Sequence, residues 1–342
     1  MTPELYYSIT VQPERHPREV AIIGSGYGFK EILPVLAGFE GIKINLMKPR
    51  NFSDSQSKNI SDLNVNFMNL NEIIDQPSIK LVFLALPPFL QRQYIEKLAP
   101  TGKSIYLEKP AGLNSTEALE IQELCERYRI KLYLGFQFRF DPGIQLLKST
   151  QKLSFLGERR VSVDWNIKQG EIQDNWKRDI NKGGGVYRDH LCHVVDVLRN
   201  TLKLSDDFFD SNLKLVSKST EIIDKVILES DNLHIRICRS KNLQSNMKFT
   251  LQSKLESAQL RMEFPFRLSD YSLSLGSNSK KLPSSLGLHQ DARRYSLITY
   301  INQILDSEFT SPNSNIDNVF PNISDAVFTQ KLADRIKETK TS

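Results

Sequence analysis

The stretch from Glu19 to Gly28 reads EVAIIGSGYG. It joins a short apolar run, Glu19–Ile23, directly to a turn that contains three glycines. Glycines between a buried strand and a helix allow a tight turn, and they let backbone N–H groups approach a pyrophosphate at the helix N-terminus. The stretch therefore predicts the strand, turn and helix with which a dinucleotide-binding domain begins.

The glycine pattern itself is incomplete. Gly24 and Gly26 fill the first two positions of G-x-G-x-x-G, but the third position is Phe29. We expect Gly28 to take over the close packing of helix on strand. A glycine turn between strand and helix is also common for structural reasons alone, so the pattern downstream has to support the interpretation. The residues predicted to contact a cofactor from this turn are Gly24, Gly26, Tyr27 and Gly28.

Strand-like and helical segments alternate up to Phe136. The further predicted strands are Ile42–Met47, Ile79–Leu86, Lys103–Leu107 and Lys131–Phe136. A predicted helix, Ser115–Tyr128, separates the last two strands. Such alternation specifies a parallel sheet with right-handed crossovers. We therefore predict an N-terminal lead over residues 1–18 and a Rossmann domain with a doubly wound parallel sheet over residues 19–138.

Beyond Arg139, strand-like runs follow one another without intervening helices. These runs are Arg159–Ile167, Lys214–Ser219, Lys225–Glu229, Leu233–Cys238, Met247–Gln252 and Gln259–Phe264. Consecutive strands indicate a mostly antiparallel sheet with one exposed face, and helices over Gly185–Leu202 and Arg293–Leu305 should cover the other face. Ser269–Leu286 is expected to be a loop or an excursion at the sheet edge. Residues 139–342 are thus predicted to form a C-terminal α/β domain with a large, mostly antiparallel sheet.

Composition excludes several classes of protein. With 342 residues, 39% of them hydrophobic, the chain is long enough for two folded domains and too apolar to be disordered. A net charge of +5 is small for a nucleic-acid binder. The apolar run Leu81–Leu90 is too short to span a membrane, and Met1–Arg18 lacks a signal-peptide core. We expect a cytoplasmic protein without membrane or nucleic-acid partners. Cys125, Cys192 and Cys238 are too far apart to suggest a metal site or disulfides.

The end of the second predicted strand bears on the choice of cofactor. An NAD-binding domain normally has an acidic residue about 20 residues after the glycines, where it holds the ribose 2′-hydroxyl. Here the sequence from Asn45 to Arg50 has no acid and contains Lys48 and Arg50. Two cations suit a 2′-phosphate, although they could equally be solvated residues of a loop. We predict that NADP(H) is the preferred cofactor and that NAD(H) is possible.

Three further motifs give the chain a family resemblance. LALPP, Leu84–Pro88, follows the third strand, and EKP, Glu108–Pro110, follows the next. Three glycines, Gly183–Gly185, precede Asp189 and His193. In this order the motifs resemble those of the glucose-fructose oxidoreductase, inositol dehydrogenase and MocA family, Gfo/Idh/MocA. The resemblance implies a Rossmann domain followed by a substrate domain, and an NAD(P)-dependent dehydrogenase or reductase that acts on CH–OH or C=O groups.

The resemblance also implies roles for individual residues. Lys109 matches a lysine that contacts the substrate and the nicotinamide ribose, and His193 matches the usual acid/base. Asp189 matches an aspartate that binds a substrate hydroxyl or orients the imidazole, and its spacing from His193 places both on one face of a helix. Arg139 matches a hinge between the domains. His190 should point about 100° away from Asp189, so we do not expect it to belong to the site. The remaining cofactor contacts implied are Leu86, Pro87 and Glu108.

Several positions depart from the family pattern. They are Phe29, Leu86, Gln91 and Leu191, where the family often has glycine, threonine, histidine and glycine. The intact Lys109, Asp189 and His193 favour an enzyme that moves a hydride to or from a carbon of a sugar, cyclitol or sugar nucleotide. The departures favour the alternative of a catalytically inactive nucleotide-binding regulator or sensor, and reduction of a non-sugar such as a bile pigment is a third possibility. A homodimer or homotetramer through the C-terminal sheet is expected from the resemblance.

Overall fold

Two β-sheets organise the protein. The computed structural model describes residues 18–47, 65–150, 160–169, 176–206, 209, 213–218, 223–253, 257–264, 266–286, 289–310 and 320–339. One sheet has six strands and the other has eight. Within these residues, every helix is too short or too polar to cross a membrane.

The six-stranded sheet is parallel throughout. Its strands are β1 (Arg18–Ile23), β2 (Ile42–Met47), β3 (Val65–Met68), β4 (Ile79–Leu84), β5 (Ser104–Leu107) and β6 (Leu132–Leu134). They are arranged in the order β3-β2-β1-β4-β5-β6, with parallel pairing between all neighbours. This order confirms the predicted doubly wound sheet, in which the strand order reverses between β1 and β4.

Helices cover both faces of this sheet. They are α1 (Leu33–Leu36), α2 (Leu70–Asp75), α3 (Pro88–Leu98) and α4 (Ser115–Tyr128). A π-helical turn, Gly28–Ile32, leads into α1. Four apolar side chains of this segment are buried in the core of the sheet: Ile32, Leu33, Val35 and Leu36. The first helix therefore rests directly on the strand that carries the glycine turn.

The eight-stranded sheet is antiparallel except for one pair. Its strands are β7 (Arg160–Lys168), β8 (Lys214–Lys218), β9 (Lys225–Glu229), β10 (Leu233–Ser240), β11 (Asn246–Gln252), β12 (Ser257–Glu263), β13 (Tyr271–Leu275) and β14 (Asn278–Lys281). The order is β14-β13-β12-β11-β7-β10-β9-β8, and β7 and β10 run parallel. The prediction of a mostly antiparallel sheet is confirmed. The segment Ser269–Leu286 contributes the edge hairpin of β13 and β14.

Three helical segments pack on one face of the eight-stranded sheet: α5 (Pro142–Thr150), α6 (Val186–Asp189) and α7 (Leu191–Asp196). The helix expected to join them, α8 (Ala292–Leu305), does not. Its apolar stripe, which includes Leu297, Tyr300 and Ile301, belongs to the core of the parallel sheet, where the rings of Tyr300 and Tyr106 of β5 are 5.9 Å apart. That prediction was wrong because an apolar stripe shows that a helix is buried without showing which sheet it covers.

A final helix, α9 (Ile323–Glu338), connects the two halves. Its Ala326 lies in the core beside the parallel sheet, and its Leu332 and Ile336 lie in the core beside the antiparallel sheet. Asp325 in its first turn accepts a hydrogen bond from Arg139, which also donates to Asp196 of α7 with an Nε–Oδ2 distance of 2.8 Å. The buried Arg139 thus joins the exit of the parallel sheet to α7 and α9 through charge-assisted hydrogen bonds.

Candidate active site

The glycine turn lies where β1 ends and the strand order reverses. Gly24 has a φ of 141°, and a Cβ at this position would lie 2.2 Å from the backbone oxygen of Ala85. A Cβ on Gly28 would lie 3.0 Å from Cγ2 of Ile22 and 3.2 Å from Cβ of Ala85. Gly28 therefore allows the close approach of helix to strand that the third glycine of the pattern normally provides.

Gly26 differs from both, because no atom of the described residues lies within 4 Å of the position its Cβ would take. The turn is open at this point, in front of the backbone N–H groups that begin the first helix. An open glycine at a helix start, opposite the carboxyl ends of parallel strands, fits a bound pyrophosphate. Tyr27 is fixed beside this opening by a 2.8 Å hydrogen bond from its hydroxyl to Oε1 of Gln137.

The loops after β4 and β5 are tied together by Gln91. Its buried side-chain amide donates to the backbone oxygens of Leu86 and Glu108, at 3.1 and 2.7 Å, and accepts from the backbone N–H of Gly112 at 2.8 Å. Leu86 and Pro87 lie in the first of these loops. The residue that departed from the family pattern thus has a structural role that the sequence did not reveal.

Glu108 and Lys109 point to different surroundings. The Glu108 carboxylate accepts a 2.6 Å hydrogen bond from the hydroxyl of Tyr106 and lies against Gly135, where a Cβ would be 2.9 Å from Oε1. Burial raises the pKa of Glu108, and the hydrogen bond from Tyr106 opposes the change. The Lys109–Pro110 peptide bond is cis. The Glu108 side chain is therefore buried against Tyr106 and Gly135, while the Lys109 side chain reaches Asp189.

Lys109 and Asp189 form the central contact of the site. Nζ of Lys109 donates to Oδ1 of Asp189 at 2.8 Å and to its backbone oxygen at 2.6 Å. Burial raises the pKa of Asp189, but the charges of Lys109 and Lys177 outweigh it and hold that pKa well below its usual range. Burial likewise lowers the pKa of Lys109, and Asp189 more than reverses the effect. Both side chains are therefore charged at neutral pH.

The helix that carries Asp189 and His193 is interrupted. The predicted single helix Gly185–Leu202 divides into α6 and α7 at His190, and it ends in a π-helical turn, Val197–Thr201. Because of this interruption, ideal helix spacing does not describe the relation between the two side chains, and the argument that they share one helix face does not hold as stated.

The glycines before α6 make room for a neighbouring turn. A Cβ on Gly184 would lie 2.4 Å from the backbone oxygen of Trp176, and Gly185 adopts a φ of 94°. The backbone N–H of Gly185 donates to the oxygen of Lys177 at 2.8 Å. The short 3₁₀ turn Trp176–Arg178 is thereby held directly over the start of α6.

His193 lies in aromatic surroundings. Its ring stacks on Phe138, with centroids 4.6 Å apart and planes at 22°, and it meets Phe136 edge-on at 6.1 Å. Among the described residues, Nδ1 of His193 has no hydrogen-bond partner. Burial, followed by the charge of Lys109, lowers the pKa of His193 well below its usual value. The imidazole is therefore neutral at neutral pH, and its Nδ1 is buried.

His190 lies inside the site, contrary to the expectation that it would point away. Its Nδ1 is 3.6 Å from Oδ2 of Asp189, and its ring meets Trp165 edge-on with centroids 4.9 Å apart. Burial lowers its pKa to about 3, so this imidazole is neutral as well. The interruption between α6 and α7 explains the difference, because the φ of His190 is −119°.

Lys177 is a site residue that the sequence reasoning missed. Its Nζ lies 3.6 Å from Oδ2 of Asp189, on the opposite carboxylate oxygen from Lys109. The signal that could have found it is its position between Trp176 and Arg178, six residues before the first glycine of the three-glycine motif. Among the described residues, no group of three or more His, Cys, Asp or Glu side chains has the geometry of a metal site. Lys48 and Arg50, which were predicted to select the cofactor, lie outside the described residues.

Comparison with known proteins agrees with this geometry. The family model GFO_IDH_MocA, described as an oxidoreductase family with an NAD-binding Rossmann fold, matches residues 18–136. Residues 18–136 therefore resemble the NAD-binding domain of the Gfo/Idh/MocA oxidoreductase family. Their parallel sheet with the glycine turn is the NAD(P)-binding Rossmann fold of that family. An uncharacterized oxidoreductase of Synechocystis sp. is 28% identical over 184 residues, which cover 52% of this chain and 50% of that protein. The chain thus spans about half the length of this curated relative.

Solved structures share the whole fold. The 3-ketoreductase KijD10 from Actinomadura kijaniata, in complex with NADP and TDP-benzene, has a TM-score of 0.72 and 13% identity, and 94% of this chain covers 97% of that chain. The transcriptional regulator Gal80p from Kluyveromyces lactis has a TM-score of 0.76 and 12% identity, and 94% of this chain covers 92% of it. At these identities the comparisons establish the two-sheet fold and leave the activity to be argued from the site.

Proposed function

We propose that this protein is an NAD(P)-dependent oxidoreductase that transfers a hydride to or from a hydroxyl-bearing or carbonyl carbon of a sugar, cyclitol or sugar nucleotide. The observation that carries the proposal is the grouping of Lys109, Asp189 and His193, with Lys109 in the loop that begins directly after β5 of the parallel sheet. Lys109 and Asp189 are in direct contact at 2.8 Å, and His193 is close enough for both charges to act on its pKa. The carboxyl ends of parallel strands at a switch point are where such folds bind cofactor and substrate.

The chain's own residues account for the binding of the substrate oxygen. A bound nicotinamide would supply the hydride or accept it. Lys109, kept protonated by Asp189, donates hydrogen bonds to the hydroxyl or carbonyl oxygen of the reacting carbon and stabilises negative charge that develops on it. Asp189 fixes the direction of the ammonium through its carboxylate and its backbone oxygen.

His193 is suited to the proton transfer. A neutral imidazole can accept the proton of a substrate hydroxyl while hydride leaves the same carbon, and it returns that proton when the carbonyl is reduced. Its lowered pKa keeps it in the accepting form over the physiological range. Stacking on Phe138 holds the ring in place in the absence of a carboxylate partner among the described residues.

A regulator or sensor is the second candidate. The surroundings of His193, stacked on Phe138, favour the regulator. A buried histidine without a carboxylate partner is less basic and is therefore a less efficient general base. Gal80p shows that the fold is compatible with transcriptional regulation. A protein of this kind would bind the nucleotide at the glycine turn without turning over a substrate.

A substrate screen separates the two candidates. We would measure oxidation of NADPH and NADH, and reduction of NADP and NAD, against keto-sugars, sugars, cyclitols and sugar nucleotides. The enzyme predicts turnover of at least one class, with a loss of about 10²–10⁴-fold in His193→Asn. Tight cofactor binding with no turnover across the screen favours the regulator. Full turnover by His193→Asn would instead refute the role of this residue.

Two finer features of the proposal concern cofactor choice and assembly. NADP(H) is the proposed preference because Lys48 and Arg50 replace the usual acid after β2, and a fluorescence titration with equal or tighter binding of NADH would contradict it. A homodimer or homotetramer through the C-terminal sheet is proposed from the family resemblance. A molar mass of one chain in light scattering at micromolar concentration would refute that assembly.

A further inference from the structure

Tyr27 joins the glycine turn to the segment that leaves the parallel sheet. Its hydroxyl donates a 2.8 Å hydrogen bond to Oε1 of Gln137. Gln137 is the first residue of the 3₁₀ turn Gln137–Phe140, which comes shortly after β6. Burial, followed by the charge of Glu108, raises the pKa of Tyr27 well above its usual value. The hydroxyl therefore keeps its proton and remains the donor of this bond.

The residues on either side of Gln137 surround His193. Phe138 stacks on the imidazole with centroids 4.6 Å apart. Phe136 meets the same ring edge-on, with centroids 6.1 Å apart. Both phenyl rings are joined to Gln137 by a single peptide bond, so a displacement of Gln137 moves the surfaces against which the imidazole packs.

The other part of the 3₁₀ turn is fixed to the helix that carries His193. Nε of Arg139 donates to Oδ2 of Asp196 at 2.8 Å, and Asp196 ends α7 three residues after His193. Because this charge-assisted pair holds Arg139, the course of the turn depends on what holds its first residue. In the part of the chain that the structure describes, Tyr27 holds the side chain of Gln137.

The opening for a pyrophosphate lies directly beside Tyr27. Tyr27 follows Gly26, which has open space at its Cβ position and whose backbone oxygen accepts a 3.0 Å hydrogen bond from the N–H of Lys30. An anion bound in front of this helical turn restrains the backbone that carries Tyr27. A hydrogen bond, a peptide bond and a ring stack in series then connect that backbone to His193.

We propose that Tyr27 is a positioning residue that orients the His193 imidazole when a nucleotide occupies the glycine turn. It acts through Gln137 and Phe138. The inference rests on the proposed function, because it takes the glycine turn as the nucleotide site and His193 as the acid/base. The nucleotide and the proton-transfer group are thereby held in one frame, and such alignment lowers the barrier of a reaction between them.

The test uses a nucleotide without a nicotinamide ring. ADP-ribose and its 2′-phosphate carry the pyrophosphate but lack the ring that would approach His193 directly, and calorimetry selects the tighter binder. This probe is added to saturation to protein labelled with isotope-enriched histidine, and the imidazole signals are followed by NMR. The signal of His193 is the one missing from His193→Asn. We expect the probe to shift it in the wild type, because movement of Phe138 changes the magnetic environment of the stacked ring.

Two variants remove the hydrogen bond from either side. Tyr27→Phe keeps the ring and loses the donor, and Gln137→Leu loses the acceptor from outside the glycine turn. In both, the His193 signal should stop responding to the saturating probe, and the double variant should behave as either single one. Where the substrate screen yields turnover, each variant should lower kcat at saturating cofactor by about 2–12-fold, the fold-change that one neutral hydrogen bond is worth.

Tyr300→Phe is the matched control. The Tyr300 hydroxyl donates a 2.7 Å hydrogen bond to the backbone oxygen of Leu134, and its ring stacks on Phe140 with centroids 4.5 Å apart. This variant also loses a buried hydroxyl beside the same 3₁₀ turn, but it does so from α8 and leaves the bond between Tyr27 and Gln137 in place. The His193 signal should therefore still respond to the probe.

The outcomes separate this inference from the proposed function. A His193 signal that ignores the bound probe in the wild type, still responds in Gln137→Leu, or stops responding in Tyr300→Phe as well would each overturn the inference. Failure of both probes to bind would overturn it together with the nucleotide site. A response that depends on Tyr27 and Gln137, without turnover of any substrate, supports the positioning role and contradicts the oxidoreductase. Turnover without such a response supports the oxidoreductase and contradicts the positioning role.

Discussion

Replacing Asp189 with asparagine removes the negative charge from a side chain that is 3% exposed and leaves Lys109, at 14% exposure, beside a neutral amide. The amide oxygen can still accept a hydrogen bond, but it does not compensate the ammonium. Burial, which lowers the pKa of Lys109, is then no longer outweighed by Asp189. We expect the variant to be less stable than the wild type at neutral pH.

The size of the loss has an upper limit, because an ammonium without its partner can give up its proton. With an unfolded-state pKa of about 10.4, deprotonation at neutral pH costs about 4.6 kcal/mol at about 1.36 kcal/mol per pKa unit. Breaking a buried ion pair by removing one partner costs about 3–5 kcal/mol. Since the backbone oxygen of residue 189 remains 2.6 Å from Nζ of Lys109, we expect a loss of about 3 kcal/mol in the free energy of unfolding.

Urea unfolding of four proteins measures this loss: the wild type, Asp189→Asn, Lys109→Met and the double variant. The double variant should recover about 2 kcal/mol relative to the sum of the two single losses. The pH dependence gives a second readout. A folded-state pKa of Lys109 below its unfolded value makes the deficit of Asp189→Asn shrink as pH rises toward about 10. Additive losses, or a single-variant loss below about 1 kcal/mol, would refute the buried ion pair.

Three further predictions concern stability and cofactor binding. Burial keeps His190 and His193 neutral in the folded protein, so the free energy of unfolding should fall below about pH 6.5, where the unfolded chain binds protons. The expected loss is about 2 kcal/mol per histidine near pH 5. Urea unfolding of His190→Gln should show a shallower decline with pH, and an unchanged decline would contradict this prediction. Gly26→Ala should fold normally, since its Cβ meets open space. It should bind NADP at least about tenfold more weakly, because the methyl group occupies the opening in front of the helix N–H groups. Unchanged affinity in a fluorescence titration would place the pyrophosphate elsewhere. Gln91→Leu leaves three backbone groups without their hydrogen-bond partner and should cost about 3 kcal/mol or more in the free energy of unfolding. A loss under about 1 kcal/mol would show that water replaces the amide.

Local sequence signals located the parallel sheet well. The predicted bounds of β2 and α4, Ile42–Met47 and Ser115–Tyr128, are those of the structure. The packing role given to Gly28 agrees with the short distances from its Cβ position to Ile22 and Ala85. These features depend on residues that are close together in the sequence, or on an apolar pattern that fits only a buried strand. Local chemistry was therefore enough to predict them.

Features that depend on distant contacts could not be read in the same way. The apolar stripe of Ala292–Leu305 fits either sheet, and only the packing of the complete chain selects the parallel one. His190 was placed outside the site on the assumption of a regular helix, and the interruption between α6 and α7 brings it to Asp189. The contact of Lys177 with Asp189 joins two segments across a turn whose course depends on Gly184. None of these contacts has a periodic signal in the sequence.

Hydride transfer itself is the most direct test of the proposed function. The protein is incubated with NADPH or NADH deuterated at C4 of the nicotinamide and with a panel of keto-sugars and nucleotide-linked keto-sugars, and the sugars are analysed by mass spectrometry. We predict a single deuterium at the reduced carbon of one substrate class, and a loss of this label with Lys109→Met. An unlabelled sugar pool, from protein shown by fluorescence to be saturated with cofactor, would contradict the oxidoreductase assignment.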